Sequence, residues 1–152
     1  MFRPEHPSDG RWQRGPVVEG FYLAGDERTV WAEWYRALAE LGVPPMRQMP
    51  RDLWRFDVRL EGVANLSSDE RLAAVGLPPL VPVRGQWEEF QAAGEALAEA
   101  GWPGILYPSA ARSGGSLALC VFRREKRIGG VVPVGPPIRH KEPPAPPTGL
   151  RT

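Results

Sequence analysis

Four polar side chains stand out in the sequence because their neighbours are apolar or turn-forming. Arg11 follows Gly10 in the turn-rich stretch DGRWQRG, and Tyr22 lies in the apolar stretch GFYLA. Glu33 comes eleven residues after Tyr22, and Ser109 lies between the apolar runs GILYP and SLALCVF. A guanidinium, a phenol, a carboxylate and a hydroxyl are groups from which a polar ligand site can be built.

Each of these residues, taken singly, also has an ordinary structural explanation. Arg11 could be a solvated arginine, and Tyr22 an aromatic residue at the edge of the core with a hydrogen-bonded hydroxyl. Glu33 is equally consistent with a carboxylate on the rim of an amphipathic helix. Ser109 could be a turn residue that bonds to its own backbone. The elements that carry the four residues are therefore needed to interpret them.

Two helices are predicted from the spacing of apolar residues. The first covers GDERTVWAEWYRALAELG, with Asp26 as N-cap and Gly42, followed by two prolines, as its end. Glu33 falls on the edge of its predicted core-facing stripe, which consists of Val30, Trp34, Leu38 and Leu41. The second helix covers QWEEFQAAGEALAEAG. Its inward-facing residues are predicted to be Trp87, Phe90 and Leu97.

Four stretches are candidate strands: GFYLA, LWRFDVRLEGVANL, GILYP and SLALCVFRR. The second of them alternates along its length, which predicts one face formed by Trp54, Phe56, Val58 and Leu60. Strands that flank two helices within one domain favour an α+β fold. We therefore predict a single domain with a mixed or antiparallel sheet and a few helices.

Composition restricts the class of protein. The chain has 152 residues and a formal net charge of +1, so its charge indicates no general attraction to nucleic acid or acidic lipid. Cys120 is the single cysteine and lies in an apolar run, which favours a small buried side chain over a redox or disulfide role. His6 and His140 lie far apart, so no zinc-site spacing is present. These features predict a soluble, cytoplasmic protein without a metal site or membrane span.

The last part of the sequence is rich in proline. Seven of the 18 prolines fall between Pro133 and Pro147, which disfavours a helix or a central strand there. We therefore divide the chain into a domain of residues 1–133 and a disordered or polyproline II tail of residues 134–152. Two alternatives are a proline-rich ligand for an aromatic groove and a segment that folds back over Ser109.

Three segments, taken in order, resemble the RES domain family, which is named after an arginine, a glutamate and a serine. They are GRWQRGPVVEGFYLAGDERTVWAEWYR, RDLWRFDVRLEGVANLSSDERLAAVGL and GWPGILYPSAARSGGSLALCVF. The Gly-Arg-Trp element, the spacing from Tyr22 to Glu33, and Ser109 in GILYPSAARSGG carry the resemblance. It covers residues 8 to 123 and implies a fold similar to that of ADP-ribosyltransferases.

The resemblance also implies an activity. Members of the family act on nicotinamide adenine dinucleotide (NAD), by phosphorolysis or by ADP-ribosyl transfer, and many are toxins held in check by an Xre-type antitoxin. By resemblance, NAD is a substrate here and no other cofactor is expected. Arg11, Tyr22, Glu33 and Ser109 would be the catalytic residues. Contacts to NAD would come from Arg3, Arg11, Tyr22 and Ser116.

Two departures from the family pattern leave an alternative open. Ser116 follows the Gly-Gly pair where the family commonly has asparagine, so the position offers fewer hydrogen bonds. Only ten residues precede Arg11, so Arg3 would have to stand in for an arginine that many members carry on an earlier strand. The alternative is a catalytically inactive RES-like module that binds a protein partner.

Overall fold

The structure is a computed structural model that describes residues 7–114 and 116–152. Its α-helices are α1 (Glu27–Leu41), α2 (Asp69–Ala74) and α3 (Trp87–Glu99). Its strands are β1 (Glu19–Ala24), β2 (Arg51–Leu53), β3 (Phe56–Val58), β4 (Ala64–Asn65), β5 (Gly104–Pro108), β6 (Leu117–Arg123), β7 (Val131–Pro133) and β8 (Ile138–His140). Within the described residues, no helix has both the length and the hydropathy that a bilayer span requires.

A four-stranded sheet in the order β1-β6-β5-β4 forms the centre of the molecule. Strand β6 pairs antiparallel with β1 and with β5, whereas β4 pairs parallel with β5. Two antiparallel ribbons, β2 with β8 and β3 with β7, complete the strands of the described chain. The predicted α+β fold with a mixed sheet is therefore confirmed.

Helix α1 begins and ends where the sequence predicts. The Asp26 side chain accepts a hydrogen bond from the Thr29 amide at 2.9 Å, and Gly42 ends the helix in the left-handed conformation at φ 63°. The predicted stripe is only partly correct, because Leu41 is 63% exposed while Trp31 is buried. Trp31 is covered by His140 of β8, with ring centroids 4.9 Å apart, and helical spacing alone could not reveal that contact.

The predicted long middle strand is broken into β2, β3 and β4. Each piece pairs with a different partner, so the segment is not one continuous strand, although Trp54, Phe56 and Val58 all line one groove. Trp54 lies between two of the pieces and is 49% exposed, and Val58 is 37% exposed. The sequence does alternate here, but the segment forms three separate pairings in place of one long strand.

Residues 134–152 differ from the predicted disordered tail. Strand β8 pairs with β2 in the register of Arg51 with His140 and Leu53 with Ile138. Further along, the Arg151 amide donates to the Ala111 carbonyl at 2.7 Å. Proline cannot donate a main-chain hydrogen bond, but the residues between the prolines do, and short pairings therefore form. In the structure, residues 138–140 and 151 are thus hydrogen-bonded to earlier parts of the chain, and the domain boundary at residue 133 stays a prediction.

The core is centred on Trp12, which is fully buried. Its ring makes edge contacts with Phe90 of α3 at 5.1 Å and with Tyr107 of β5 at 5.3 Å, measured between centroids. Helix α3 can approach this closely because of Gly94. A Cβ atom on Gly94 would lie 2.0 Å from the Trp12 carbonyl oxygen.

Substitution of Gly94 by alanine should destabilise the protein, although alanine favours helix. The added methyl would push α3 away from Trp12, and we expect the free energy of unfolding to fall by about 1–3 kcal/mol. Gly85→Ala is the control, because a Cβ there meets nothing within 4 Å. Chemical denaturation of both variants tests this. Equal stability of Gly94→Ala and the wild type would contradict the close packing.

Candidate functional site

A cleft of about 320 Å³ lies beside β1 and α1 and brings together three of the four predicted site residues. Arg11, Tyr22 and Glu33 line it, together with Arg36 and Tyr107. Ser109 joins the group through its side chain, which contacts Glu33. The four residues, spread over the sequence from position 11 to 109, therefore converge on one cleft.

Glu33 and Ser109, two of the predicted catalytic residues, are in direct contact. The Ser109 hydroxyl donates to Glu33 Oε1 at 2.8 Å and accepts a hydrogen bond from the Ala111 amide at 3.2 Å. The other carboxylate oxygen of Glu33 accepts from Arg36 Nε at 3.2 Å. Ser109 is 5% exposed, so little water competes for its hydroxyl. The carboxylate is thus held on both oxygens.

Arg11 is buried in the wall of the cleft, at 6% exposure. Its Nη2 donates to the Val81 carbonyl at 2.8 Å, and its Nη1 donates to Gln86 Oε1 at 3.4 Å. The guanidinium also lies over the Phe90 ring, 5.5 Å from the centroid. Burial, and then the charge of Arg36, lower the pKa of Arg11. Both ends of the guanidinium fork are therefore bonded to the protein itself.

Tyr22 presents its ring and its hydroxyl to different surroundings. The hydroxyl donates to Gln13 Oε1 at 2.7 Å and accepts from the Trp12 amide at 3.1 Å. Its burial raises the pKa of Tyr22 well above the usual value. The residue as a whole is 38% exposed and lines the cleft. The hydroxyl is therefore a structural group, whereas the ring remains available for stacking.

Sequence reasoning missed Arg36, which links the site to a chain of charges. Arg36 Nη1 lies 3.1 Å from Glu40 Oε1, and Glu40 Oε2 accepts from Arg84 Nε at 3.1 Å. The pairs of Arg36 with Glu33 and Glu40 have the i,i+3 and i,i+4 spacing of a helix. That spacing, once α1 was predicted, could have revealed Arg36. Tyr107, buried in β5, carried no comparable signal.

One predicted NAD-binding residue, Ser116, is not among the described residues that line the cleft. The Ser116 hydroxyl accepts from Arg112 Nη1 at 2.9 Å, and the same nitrogen donates to Asp26 Oδ1 at 3.2 Å. Ser116 therefore faces the start of α1, and it is not among the residues that line the cleft. Arg3 lies outside the described residues. The predicted contacts of both residues with NAD stay predictions.

A larger groove of about 970 Å³ adjoins the cleft along β1. The two share Tyr22, Leu23, Ala24 and Val30. The groove is bounded by aromatic residues and by acidic ones, namely Phe21, Trp54, Phe56, Asp26, Glu27 and Asp52. Together they form a long depression with a charged end at Glu33 and a more aromatic end at Trp54.

Cys120 lies behind the site and is fully buried in β6. Loss of hydration raises the pKa of its thiol to about 12. Among the described residues, no group of three or more histidine, cysteine, aspartate or glutamate residues is arranged to hold a metal ion. The predicted small, buried role of Cys120 agrees with this environment.

The Cys120 thiol should not react with a disulfide reagent at pH 8 in the folded protein. With a pKa of about 12, roughly one thiol in 10⁴ is ionised at that pH, and the thiolate is the nucleophile. Full reaction is expected after unfolding in guanidinium chloride. Absorbance of the released thiol measures the extent of reaction in the folded and in the unfolded protein. Rapid labelling of the native chain would contradict this burial.

The architecture described above is that of a small α+β domain with a carboxylate–serine pair at the end of a long cleft. The RES domain model matches residues 1–142, and the chain belongs to that family. The predicted resemblance is therefore confirmed. No curated protein sequence matches the chain.

A solved structure supports the fold. The chain is similar to one in the crystal structure of the M. tuberculosis MbcT–MbcA toxin–antitoxin complex, with a TM-score of 0.73 and 24% sequence identity. The similarity covers 87% of this chain and 72% of that one. At this identity the comparison establishes the architecture, and function has to be argued from the site.

Proposed function

We propose that the chain is a toxin-like enzyme that cleaves the bond between nicotinamide and ribose in NAD, by phosphorolysis or ADP-ribosyl transfer. The observation that carries this proposal is the contact of Glu33 Oε1 with the Ser109 hydroxyl at 2.8 Å, beside a cleft lined by Arg11 and Tyr22. Membership of the RES family supports the same conclusion.

The chemistry of the bond explains why a carboxylate is the main group. When the bond between nicotinamide nitrogen and ribose C1′ breaks, its electron pair goes to nicotinamide, which leaves as a neutral molecule. Positive charge develops on the ribose, and an oxygen nucleophile, from phosphate or from an acceptor hydroxyl, then bonds to C1′. Glu33 would stabilise that charge, and no side chain has to protonate the leaving group.

The two parts of the long cleft suit the two halves of a dinucleotide. The nicotinamide and its ribose would occupy the smaller part, where the Tyr22 ring offers a stacking surface and Glu33 lies within reach. The other half would extend along the groove toward Trp54 and Phe56. A cleft that is apolar and aromatic with a few charged groups is typical of nucleotide-sized ligands.

The phosphate contact predicted for Arg11 would be made by N–H groups that its protein contacts leave over. Its two terminal nitrogens make one hydrogen bond each, to Val81 and Gln86, and a guanidinium has five N–H groups. Arg36 lines the same cleft and offers a second guanidinium. We propose that Arg11 binds the diphosphate in the complex and also holds residues 81–86 through Val81 and Gln86.

An antitoxin is the proposed protein partner. The solved structure that the chain resembles is a toxin–antitoxin complex. The resemblance to the RES family implies that the antitoxin would be of the Xre type, which is therefore the partner to test first. The alternative function, an inactive module that binds a partner without turnover, is favoured by Ser116, which bonds to Arg112 and is not among the residues that line the cleft. Incubation with NAD, with and without phosphate, separates the two: loss of NAD supports the enzyme, whereas binding without loss supports the module.

Glu33→Gln should reduce NAD consumption by roughly 10²- to 10⁴-fold with little change in melting temperature, because the charge is lost while the shape is kept. Ser109→Ala should reduce it less, because the carboxylate remains. Glu99→Gln is the matched control, since Glu99 is exposed at the end of α3. Chromatographic measurement of NAD over time gives the rates. Glu33→Gln activity within a few fold of wild type would remove Glu33 from the reaction.

Arg11→Lys should weaken NAD binding strongly, because a lysine cannot make the bidentate phosphate contact although it keeps the charge. It should also lower the melting temperature, since the contacts to Val81 and Gln86 are lost. Isothermal titration with NAD and thermal unfolding measure the two effects. Binding by the Lys variant as tight as that of the wild type would contradict the phosphate role.

A further inference from the structure

Residues 144–151, which we term the strap, contact both the helix that carries Glu33 and the loop that carries Ser109. At one end, the Tyr35 hydroxyl on α1 donates to the Pro144 carbonyl. At the other end, the Arg151 amide donates to the Ala111 carbonyl at 2.7 Å, and the Ser113 amide donates to the Gly149 carbonyl at 2.9 Å. The strap therefore spans the two elements whose side chains meet at the site.

The Arg112 side chain also joins the strap to α1. Its Nε donates to the Thr148 carbonyl of the strap at 3.1 Å, while its Nη1 donates to Asp26, the N-cap of α1, at 3.2 Å. Arg112 and Leu150 also form an isolated β-bridge. The RES domain match ends at residue 142, so the strap lies beyond the part of the chain that the family model describes.

We propose that the strap is a positioning segment for Ser109, holding its loop against α1 so that the hydroxyl meets Glu33. Ala111 transmits the effect directly: its carbonyl accepts from Arg151 of the strap, and its amide donates to the Ser109 hydroxyl. A shift of this loop away from α1 would lengthen the contact between Ser109 and Glu33. The effect of the strap on NAD turnover rests on the proposed function, whereas its effect on the position of the Ser109 loop does not.

One glycine of the strap allows a specific test. Gly149 has φ +81°, and a Cβ there would lie 3.0 Å from Ser113 Oγ and 3.2 Å from the Ser113 carbonyl oxygen. In Gly149→Ala the strap and Ser113 should therefore move apart by a few tenths of an ångström, which weakens the contact of the strap with the loop. Gly135 has a similar φ of +68° but meets nothing within 4 Å. Gly135→Ala therefore carries a similar backbone strain without the collision and is the matched control.

The experiment compares both variants with the wild-type full chain by hydrogen exchange and by NAD turnover. The informative amides are those of Ser109 and Ala111, because they donate to Ser116 and to the Ser109 hydroxyl and not to the strap. In Gly149→Ala we expect faster exchange at both. We also expect kcat, measured well below the melting temperature, to fall by roughly tenfold or more. KM should change less, because misplacement of reacting groups lowers mainly the rate of the chemical step.

Gly135→Ala should leave both the exchange and the turnover as in the wild type. The proposal is overturned if Gly149→Ala matches Gly135→Ala in exchange, or if it lowers only the melting temperature while kcat is unchanged in an active chain. If the wild type does not consume NAD at all, the proposed function fails. The exchange of Ser109 and Ala111 then decides the role of the strap by itself.

Discussion

The hydrogen bond between Glu33 and Ser109 joins segments 76 residues apart, and the placement of most other elements can be understood from it. Glu33 reaches the serine from α1, which begins at Glu27 shortly after the end of β1 and is capped by Asp26. Ser109 directly follows β5, at the end of the central sheet. Its position is fixed by its amide, which donates to the Ser116 carbonyl at 2.8 Å. The site is thus a junction between a helix and the sheet.

Because the junction is buried, its polar groups need hydrogen-bond partners. Arg11 and Ser109 are 6% and 5% exposed, so each unpaired hydrogen-bonding group would cost free energy. Both side chains are hydrogen-bonded within the protein. Arg11 bonds to Val81 and Gln86, and Ser109 bonds to Glu33 and Ala111. A ligand would have to offer bonds at least as good as those it displaces. This requirement favours a charged, oxygen-rich ligand such as a diphosphate over an apolar one.

Local patterns in the sequence were sufficient for the elements with strong periodicity and clear ends. Helix α1 was predicted with its cap at Asp26 and its stop at Gly42, and Phe90 was correctly predicted to face inward on α3. The alternation around Trp54 was misleading, because alternation shows that two faces differ and not which partner a strand will choose. Proline density did not reveal the pairing of residues 138–140 with β2, because it indicates only where regular structure is disfavoured.

The sequence by itself determined the family and the α+β class, because these follow from local spacing and order along the chain. It also singled out Arg11, Tyr22 and Glu33, which the structure brings to one cleft. Tertiary structure alone decided how those residues are used. It turned the Tyr22 hydroxyl and the Arg11 fork toward protein partners, set Ser116 against Arg112, and brought Arg36 to the second oxygen of Glu33. It also laid residues 144–151 across the serine loop. Each of these contacts joins atoms of side chains or carbonyls whose directions are set by packing, which no one-dimensional pattern encodes.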